Sequence, residues 1–219
     1  MAEHLTVEQQ EEQIKKWIKD NWFAVVAGLV LGFSGLFGWR YYQAEKTAHA
    51  VAASTIYEQL STALVRSDEK TITATSDKLL KEFKDTPYAT YAALAKAKLA
   101  IEKGKLENAE SQYEWVMSHS DSTALKNIAR LRLGRLLLSE GHYDNALSLI
   151  PADKDRSFNA DFAELKGDIY LAKGEHDAAR NAYQQALAAL PANAPSRASV
   201  EMKLNDIAPA TKPAAEATS

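Results

Sequence analysis

The sequence of 219 residues is long enough for one or two domains, and it has 26 basic and 29 acidic side chains but no cysteine. The lack of cysteine excludes disulfides, thiolate catalysis and cysteine-based zinc or iron–sulfur sites. The charges are balanced and form no basic block, which argues against nucleic-acid binding, while abundant alanine with sparse glycine and proline favours an all-helical fold.

A short charged arm, residues 1–21, precedes the most apolar part of the chain. Thr6 and Gln9 have the spacing of a capping box, which predicts a helix that starts after Thr6 and runs to about Asp20. Its glutamates come early and its lysines late, as the helix dipole favours. Its apolar residues recur on one face, which is typical of an amphipathic helix at a membrane interface and equally of an ordinary solvated helix end.

The stretch Trp22–Trp39 contains 18 residues and no charged side chain. At about 1.5 Å per residue, a helix of this length spans roughly 27 Å, close to the ~30 Å apolar core of a bilayer. The tryptophans at its two ends suit the headgroup level. The stretch therefore predicts a transmembrane helix over residues 22–39, and its glycines argue against a buried core helix.

A cleaved signal peptide is a further alternative for this stretch. Signal peptides have a shorter apolar run and a small-x-small cleavage site soon after it. Here the first such site, Ala48–Ala50, comes only after Arg40, Glu45 and Lys46, so we expect an uncleaved anchor. Three lysines precede the stretch and two cations follow it, a positive-inside bias that places the N-terminus in the cytoplasm.

The anchor also carries a stripe of small residues. Ala24, Gly28, Gly32 and Gly35 follow 4-4-3 spacing, which places them on one helical face. Such a face permits close backbone approach between membrane helices, so the stripe predicts a helix-packing surface. The alternative is that glycine is simply common in membrane helices.

A pair of helices follows the anchor. A long helix is predicted from about Gln43 to Ser67, then a turn at Asp68–Thr71 and a second helix at Thr73–Phe83. Asp85–Pro87 is a clear stop, because proline disfavours helix at the residue before it. The positions of the long helix that we expect to be buried include Ala44, Thr47, Val51, Ile56, Leu60 and Leu64.

Internal repeats make up most of the remaining sequence. The clearest unit, Ala163–Pro191, has small, aromatic and turn residues at the offsets of the tetratricopeptide pattern, and two earlier units share part of it. The turn glycines Gly104, Gly141 and Gly174 lie 37 and 33 residues apart, close to the period of about 34 residues. The matching residues are Gly167, Tyr170, Gly174, Ala179, Tyr183, Ala186 and Pro191.

The repeat pattern predicts an all-α solenoid of stacked helix hairpins. We expect Gly167 and Ala179 where the two helices of a hairpin touch, and Tyr170 and Tyr183 in the gap to the next hairpin. Pro151 should shorten the second helix of the middle unit.

The last part of the repeat domain predicts a capping helix. This helix, Ser196–Ile207, should cover the open end of the solenoid. The repeat domain is thus predicted to cover residues 40–207, and residues 208–219, rich in alanine, proline and threonine, are typical of a disordered tail.

In such solenoids the first helix of each hairpin lines a concave face. The pattern predicts a groove that is apolar and basic at one end and acidic at the other, suited to an amphipathic segment of another protein. Two alternatives remain, namely that C-terminal residues fold back into the groove or that Leu131 and Leu138 belong to the core. The predicted groove residues are Tyr91, Leu94, Lys98, Ile101, Ile128, Leu131, Arg135, Leu138, Asp161, Glu164, Asp168 and Leu171.

The sequence shows no pattern typical of catalysis. The five histidines are scattered, and the glycines of the anchor follow no strand, so neither a metal site nor a nucleotide loop is predicted. Asp161, Glu164 and Asp168 share a helical face and could act as an acid/base pair, but a solvated or groove-lining face is the simpler interpretation. We predict a protein that is not an enzyme and has no cofactor, metal or small-molecule substrate.

The layout resembles the YfgM family, the ancillary subunits of the bacterial SecYEG translocon. The likeness covers the charged arm, the anchor, the junction Gly38–Gln43 (GWRYYQ), the alanine-rich helix and the degenerate repeats. It implies an inner-membrane protein with periplasmic repeats that associates with SecYEG and with the chaperone PpiD in handling translocated proteins. Two other hypotheses remain: a generic tethered scaffold for envelope assembly or stress signalling without translocon contact, and an enzyme whose site forms only in three dimensions.

Overall fold

The computed structural model describes residues 7–151 and 157–207, and all regular secondary structure in these ranges is helical. The predicted all-α fold is confirmed. Thr6, the predicted N-cap of the arm, and the predicted tail 208–219 lie outside the described residues. The described helices are α1 Val7–Asp20, α2 Trp22–Arg66, α3 Glu69–Glu82, α4 Pro87–Glu102, α5 Leu106–His119, α6 Thr123–Ser139, α7 Tyr143–Ser148, α8 Asn159–Ala172, α9 His176–Ala189 and α10 Arg197–Asp206.

The predicted anchor and the long helix after it are one continuous helix, α2, of 45 residues. The sequence between Trp39 and Ala53 contains no glycine or proline and is rich in alanine, so nothing there interrupts a helix. An apolar window of 18 residues in α2 has a mean hydropathy of 1.8, and none of it is buried. Its length and composition are sufficient for a membrane crossing, as predicted.

The burial of α2 corrects part of the sequence interpretation. Ala44, Thr47 and Val51 were expected to be buried, but all three are exposed, whereas Ile56 and Leu60 are buried as expected. The contacts divide the chain into two units, one up to Ala52 and one from Ala53 onward. The three exposed positions lie in the first unit. Among the described residues of α2, the buried side chains begin at Ala53, where the second unit starts.

The helix α3 begins four residues earlier than predicted. Asp68 was expected in a turn, but it is the N-cap: its carboxylate accepts a 3.1 Å hydrogen bond from the Thr71 amide and a 2.6 Å bond from the Thr71 hydroxyl. These bonds satisfy one of the free amides of the first turn, which stabilises an early helix start. The chain then stops at Thr86 and resumes with Pro87 as the first residue of α4, as the sequence predicts.

Helix hairpins α4–α5, α6–α7 and α8–α9 form the repeats from Pro87 to Ala189. The turn glycines Gly104, Gly141 and Gly174 have φ values of +67°, +79° and +78°, a left-handed conformation that favours glycine. The predicted turn role of these glycines is therefore confirmed. The helix α7 has only six residues, in keeping with the early stop predicted from Pro151.

The described residues from Ala53 onward form three hydrophobic clusters. The first joins the end of α2 with α3 and α4, and the second and largest joins helices α4 to α8. The third joins α9 with α10, where Val200 and Ile207 are buried beside Tyr183. The helix α10 thus covers the end of the repeats, and the predicted capping helix is confirmed.

The aromatic ring of Tyr183 lies between α8 of its own hairpin and the buried side chains of Val200 and Ile207, so the contact predicted with the following element is joined by one within the hairpin. A Cβ atom added to Gly167 of α8 would lie 2.5 Å from a ring carbon of Tyr183. The small residue at 167 is required because the ring of α9 lies directly over it. The contact between successive hairpins is made elsewhere, for example by Leu165, whose side chain lies over Gly134 of α6.

Candidate functional site

The first helices of the hairpins α4–α5, α6–α7 and α8–α9 carry the predicted groove residues, which we call the groove face. On α4, Tyr91 and Ile101 are each 40% exposed, Lys98 is exposed and Leu94 is half-buried. These four residues are spaced three or four apart, so they share one side of the helix. This end of the groove face therefore combines exposed apolar side chains with a cation, and its role in binding stays a prediction.

A tyrosine cluster adjoins this end of the groove face. The ring of Tyr57, on α2, lies 5.5 Å from the ring of Tyr91 and 5.2 Å from that of Tyr88. Sequence reasoning missed this cluster, because Tyr57 is more than thirty residues from its partners. The only available signal was the pair Tyr88 and Tyr91, three residues apart at the start of α4. Tyrosine supplies large contact area with little loss of side-chain freedom, which suits a protein-binding surface.

The part of the groove face on α6 is mostly core. Leu131 is buried and Leu138 is half-buried against the same cluster, whereas Arg135 is exposed. The buried position of Leu131 supports the alternative that this residue belongs to the core. Ile128 is half-buried, so α6 offers the groove face one cation and limited apolar area.

The acidic part of the groove face, on α8, is occupied by the chain's own C-terminal helix. The ammonium group of Lys203, on α10, donates to Glu164 at 2.7 Å and to the two carboxylate oxygens of Asp168 at 2.8 and 2.9 Å. The hydroxyl of Tyr183 donates to Asp168 at 2.7 Å. Asp161 is half-buried in the first turn of α8, where the helix dipole favours a carboxylate.

This cluster shifts two pKa values. Burial raises the pKa of the Tyr183 phenol, and the bond to Asp168 and the nearby charge of Glu164 raise it further. Burial lowers the pKa of Lys203, but its hydrogen bonds to Asp168 and Glu164 outweigh burial, so that pKa lies above its usual value. Both shifts keep the protons in place and are explained by the docking of α10, so they do not point to an acid/base pair.

The small-residue stripe of the anchor is uncovered among the residues that the structure describes. Ala24 is exposed, and a Cβ atom added to Gly28, Gly32 or Gly35 would meet no described atom within 4 Å beyond its own stretch of helix. The stripe is therefore accessible to another helix, and its packing role stays a prediction.

Chemistry-bearing groups do not converge in the part of the chain that the structure describes. No group of three or more histidine, aspartate or glutamate side chains there could hold a metal ion. A cleft of about 340 Å³ beside α4 and α5 is lined partly by lysines, of which Lys96 pairs with Asp77 and Lys103 with Glu69. The prediction that the protein is not an enzyme stays a prediction.

The comparisons with known proteins decide the family. The sequence matches the family described as Tetratricopeptide repeat-like domain over residues 15–209. The ancillary SecYEG translocon subunit of Haemophilus influenzae is 37% identical over 186 residues, which cover 85% of this chain and 91% of that protein. The chain belongs to the family of ancillary SecYEG translocon subunits.

Other ancillary SecYEG translocon subunits agree with this assignment. That of Aggregatibacter actinomycetemcomitans is 33% identical over 85% of this chain and 91% of its own length. That of Escherichia coli is 30% identical over 90% of this chain and 95% of its own length. No solved structure matches the chain. The resemblance predicted from the sequence is confirmed, and the family together with the apolar helix α2 fits a single-pass inner-membrane protein.

Proposed function

We propose that this protein is a non-enzymatic, protein-binding subunit of the SecYEG translocon that associates with the chaperone PpiD and assists in handling translocated proteins. This proposal rests on the similarity to the ancillary SecYEG translocon subunit of Haemophilus influenzae. That protein is 37% identical to this chain, and the match covers 91% of its length. The architecture agrees with it, because a membrane-crossing helix and a helical-repeat domain are what a tethered binding protein needs.

The orientation we propose is an N-terminus in the cytoplasm and repeats in the periplasm. The exposed lysines of α1, at positions 15, 16 and 19, lie just before the apolar part of α2, and cytoplasmic flanks are richer in such cations. Protease added to spheroplasts should then degrade the repeats and spare the arm. A protected repeat domain, or a mature protein that begins near Val51, would contradict this orientation or the uncleaved anchor.

Co-purification tests the partners. The full-length protein, extracted in mild detergent, should recover the SecYEG subunits and PpiD together. Recovery of neither would favour a generic tethered scaffold in envelope assembly or stress signalling. Recovery of PpiD alone would contradict direct translocon association.

In-cell crosslinking would then locate the contact surface. A photo-crosslinking residue at Tyr91 or Ile101 should form adducts with a partner, because both side chains are exposed on the groove face. The matched control is Lys78, exposed on α3, the second helix of its pair, which should give few adducts. Equal adducts at both places would show that the groove face is not the preferred surface.

A further inference from the structure

The docking of α10 changes the charge of the groove face. Sequence alone predicts an acidic end formed by Asp161, Glu164 and Asp168, but Lys203 is within 2.9 Å of the last two carboxylates. This half-buried cation offsets one of the two negative charges, so the acidic end attracts an incoming basic ligand less strongly. A basic partner would have to displace α10, which is also held by the buried side chains of Val200 and Ile207.

Two cations remain open to solvent on the groove face. The side chain of Lys98 is 70% exposed, and its only ion pair in the described chain is a loose one of 3.7 Å with Glu102 on the same helix. Such exposed pairs contribute little and exchange readily. Arg135 is exposed on α6, the next first helix along the chain. The charged groove-face residues of α4 and α6 are therefore the two cations Lys98 and Arg135.

Apolar anchors lie beside these cations. Tyr91 and Ile101, both 40% exposed, flank Lys98 along α4, and the ring of Tyr57 supports Tyr91 at 5.5 Å. A tyrosine held by a neighbouring ring loses little freedom on binding, which raises its contribution to affinity. The surface thus offers rigid apolar contacts with positive charge alongside.

From this charge complementarity we infer that the groove face binds an acidic amphipathic segment of a partner or client protein. The segment places apolar side chains against Tyr91 and Ile101 and carboxylates toward Lys98 and Arg135. The inference rests on the proposed function, which requires that this protein binds other proteins. It adds that the segment bound at the groove face is negatively charged. Positive groove charge would also speed the encounter, in a manner that salt suppresses.

The test uses the full-length protein in detergent micelles and two fluorescent peptides of about 15 residues, long enough for an amphipathic helix. Both carry leucine and phenylalanine at positions i, i+3, i+4 and i+7, and one has glutamates and the other lysines at the remaining positions. Fluorescence anisotropy should show binding of the glutamate peptide at least about tenfold tighter than that of the lysine peptide, with affinity falling as salt rises.

Matched variants locate the site. Lys98→Glu with Arg135→Glu should weaken binding of the glutamate peptide about tenfold. Lys78→Glu with Lys84→Glu makes the same charge change on and just after α3, at exposed positions, and should leave the affinity unchanged. If the first pair of substitutions unfolds the protein, Lys98→Gln with Arg135→Gln replaces it and should weaken binding in the same direction.

The outcomes separate this inference from the proposed function. Equal binding of the two peptides, or equal loss in the two double variants, overturns the acidic-segment inference but leaves a protein-binding groove. If neither peptide binds, the acidic-segment inference is also overturned. Co-purification of the wild-type protein and the double variants with SecYEG tests the proposed function independently of the peptides. If the wild-type protein does not recover SecYEG, the proposed function is overturned, whatever the peptides show.

Discussion

The hydroxyl of Tyr183 donates a 2.7 Å hydrogen bond to the carboxylate of Asp168, fifteen residues earlier in the chain. The same phenol ring lies over Gly167, and the ammonium of Lys203 lies 6.0 Å from the ring centre. One fully buried side chain therefore links both helices of the last hairpin to the helix that covers it.

Gly167→Ala should destabilise the repeat domain. The added Cβ would lie 2.5, 2.6 and 2.9 Å from three carbons of the rigid Tyr183 ring. Overpacking of this kind costs about 1–3 kcal/mol, which exceeds the roughly 0.5–1 kcal/mol that alanine gains over glycine within a helix. Urea unfolding should show the net loss.

Gly134→Ala is the matched control for that substitution. The nearest atom to its added Cβ, at 2.6 Å, is a terminal methyl of Leu165, which is more flexible than an aromatic ring although it is buried. The free energy of unfolding should then fall less than in Gly167→Ala. Equal losses in the two variants would show that the Tyr183 ring is not the cause.

The stability of the repeat domain should fall above about pH 10. The pKa values of Tyr183 and Lys203 are both raised in the folded protein, so the folded state keeps protons that the unfolded state releases near pH 10 and 10.5. Their stabilising contribution is fully present below those unfolded values and is lost as pH rises through the folded ones. Urea midpoints measured from about pH 8 to pH 11 would follow this loss.

Tyr183→Phe with Lys203→Met provides the control for the alkaline effect. The variant lacks both titrating groups, so its stability should decline less steeply above about pH 10 than that of the wild type. An unchanged slope would assign the alkaline loss to other tyrosines and lysines.

The turn after α8 offers a backbone test. Gly174 has a φ of +78°, a left-handed conformation that costs about 1–2 kcal/mol for most residues with a Cβ. Gly174→Ala should lower the free energy of unfolding by about that amount. Gly174→Asn should cost less, because asparagine tolerates this conformation. Equal losses would indicate a cause other than backbone strain.

The anchor stripe should act in partner association. We propose that Gly28→Leu with Gly32→Leu weakens recovery of membrane partners while the protein still inserts, because leucine blocks close helix approach. Leu29→Ala with Leu36→Ala alters two exposed positions outside the stripe and should leave recovery unchanged. Full recovery of every partner with the glycine variant would contradict a packing role for the stripe.

Local sequence signals predicted the helices and turns well. The turns at Gly104, Gly141 and Gly174 could be predicted because they depend only on the left-handed backbone conformation of one residue, which favours glycine. The start of α3 was misplaced because the cap of Asp68 depends on a side-chain orientation that the residue type permits but does not require.

Long-range features were harder to predict. The partner of Glu164 and Asp168 is Lys203, at separations of 39 and 35 residues. No periodicity encodes such a pairing, and the sequence supported only the alternative that C-terminal residues fold back. The exposure of Ala44 and Val51 was missed for a related reason, since alanine and valine at helical spacing are as compatible with an open helix as with a packed one.

Because α10 is the last described helix, it is also the last of these to be synthesised. Until it docks, the apolar side chains that surround Tyr183 lack Val200 and Ile207, and the carboxylates of Glu164 and Asp168 lack their cation. A chain broken off before Arg197 would therefore present an uncovered apolar patch next to two unneutralised charges. Proteases and chaperones can distinguish such a fragment from a chain whose last hairpin is covered, so α10 also protects the repeats from degradation.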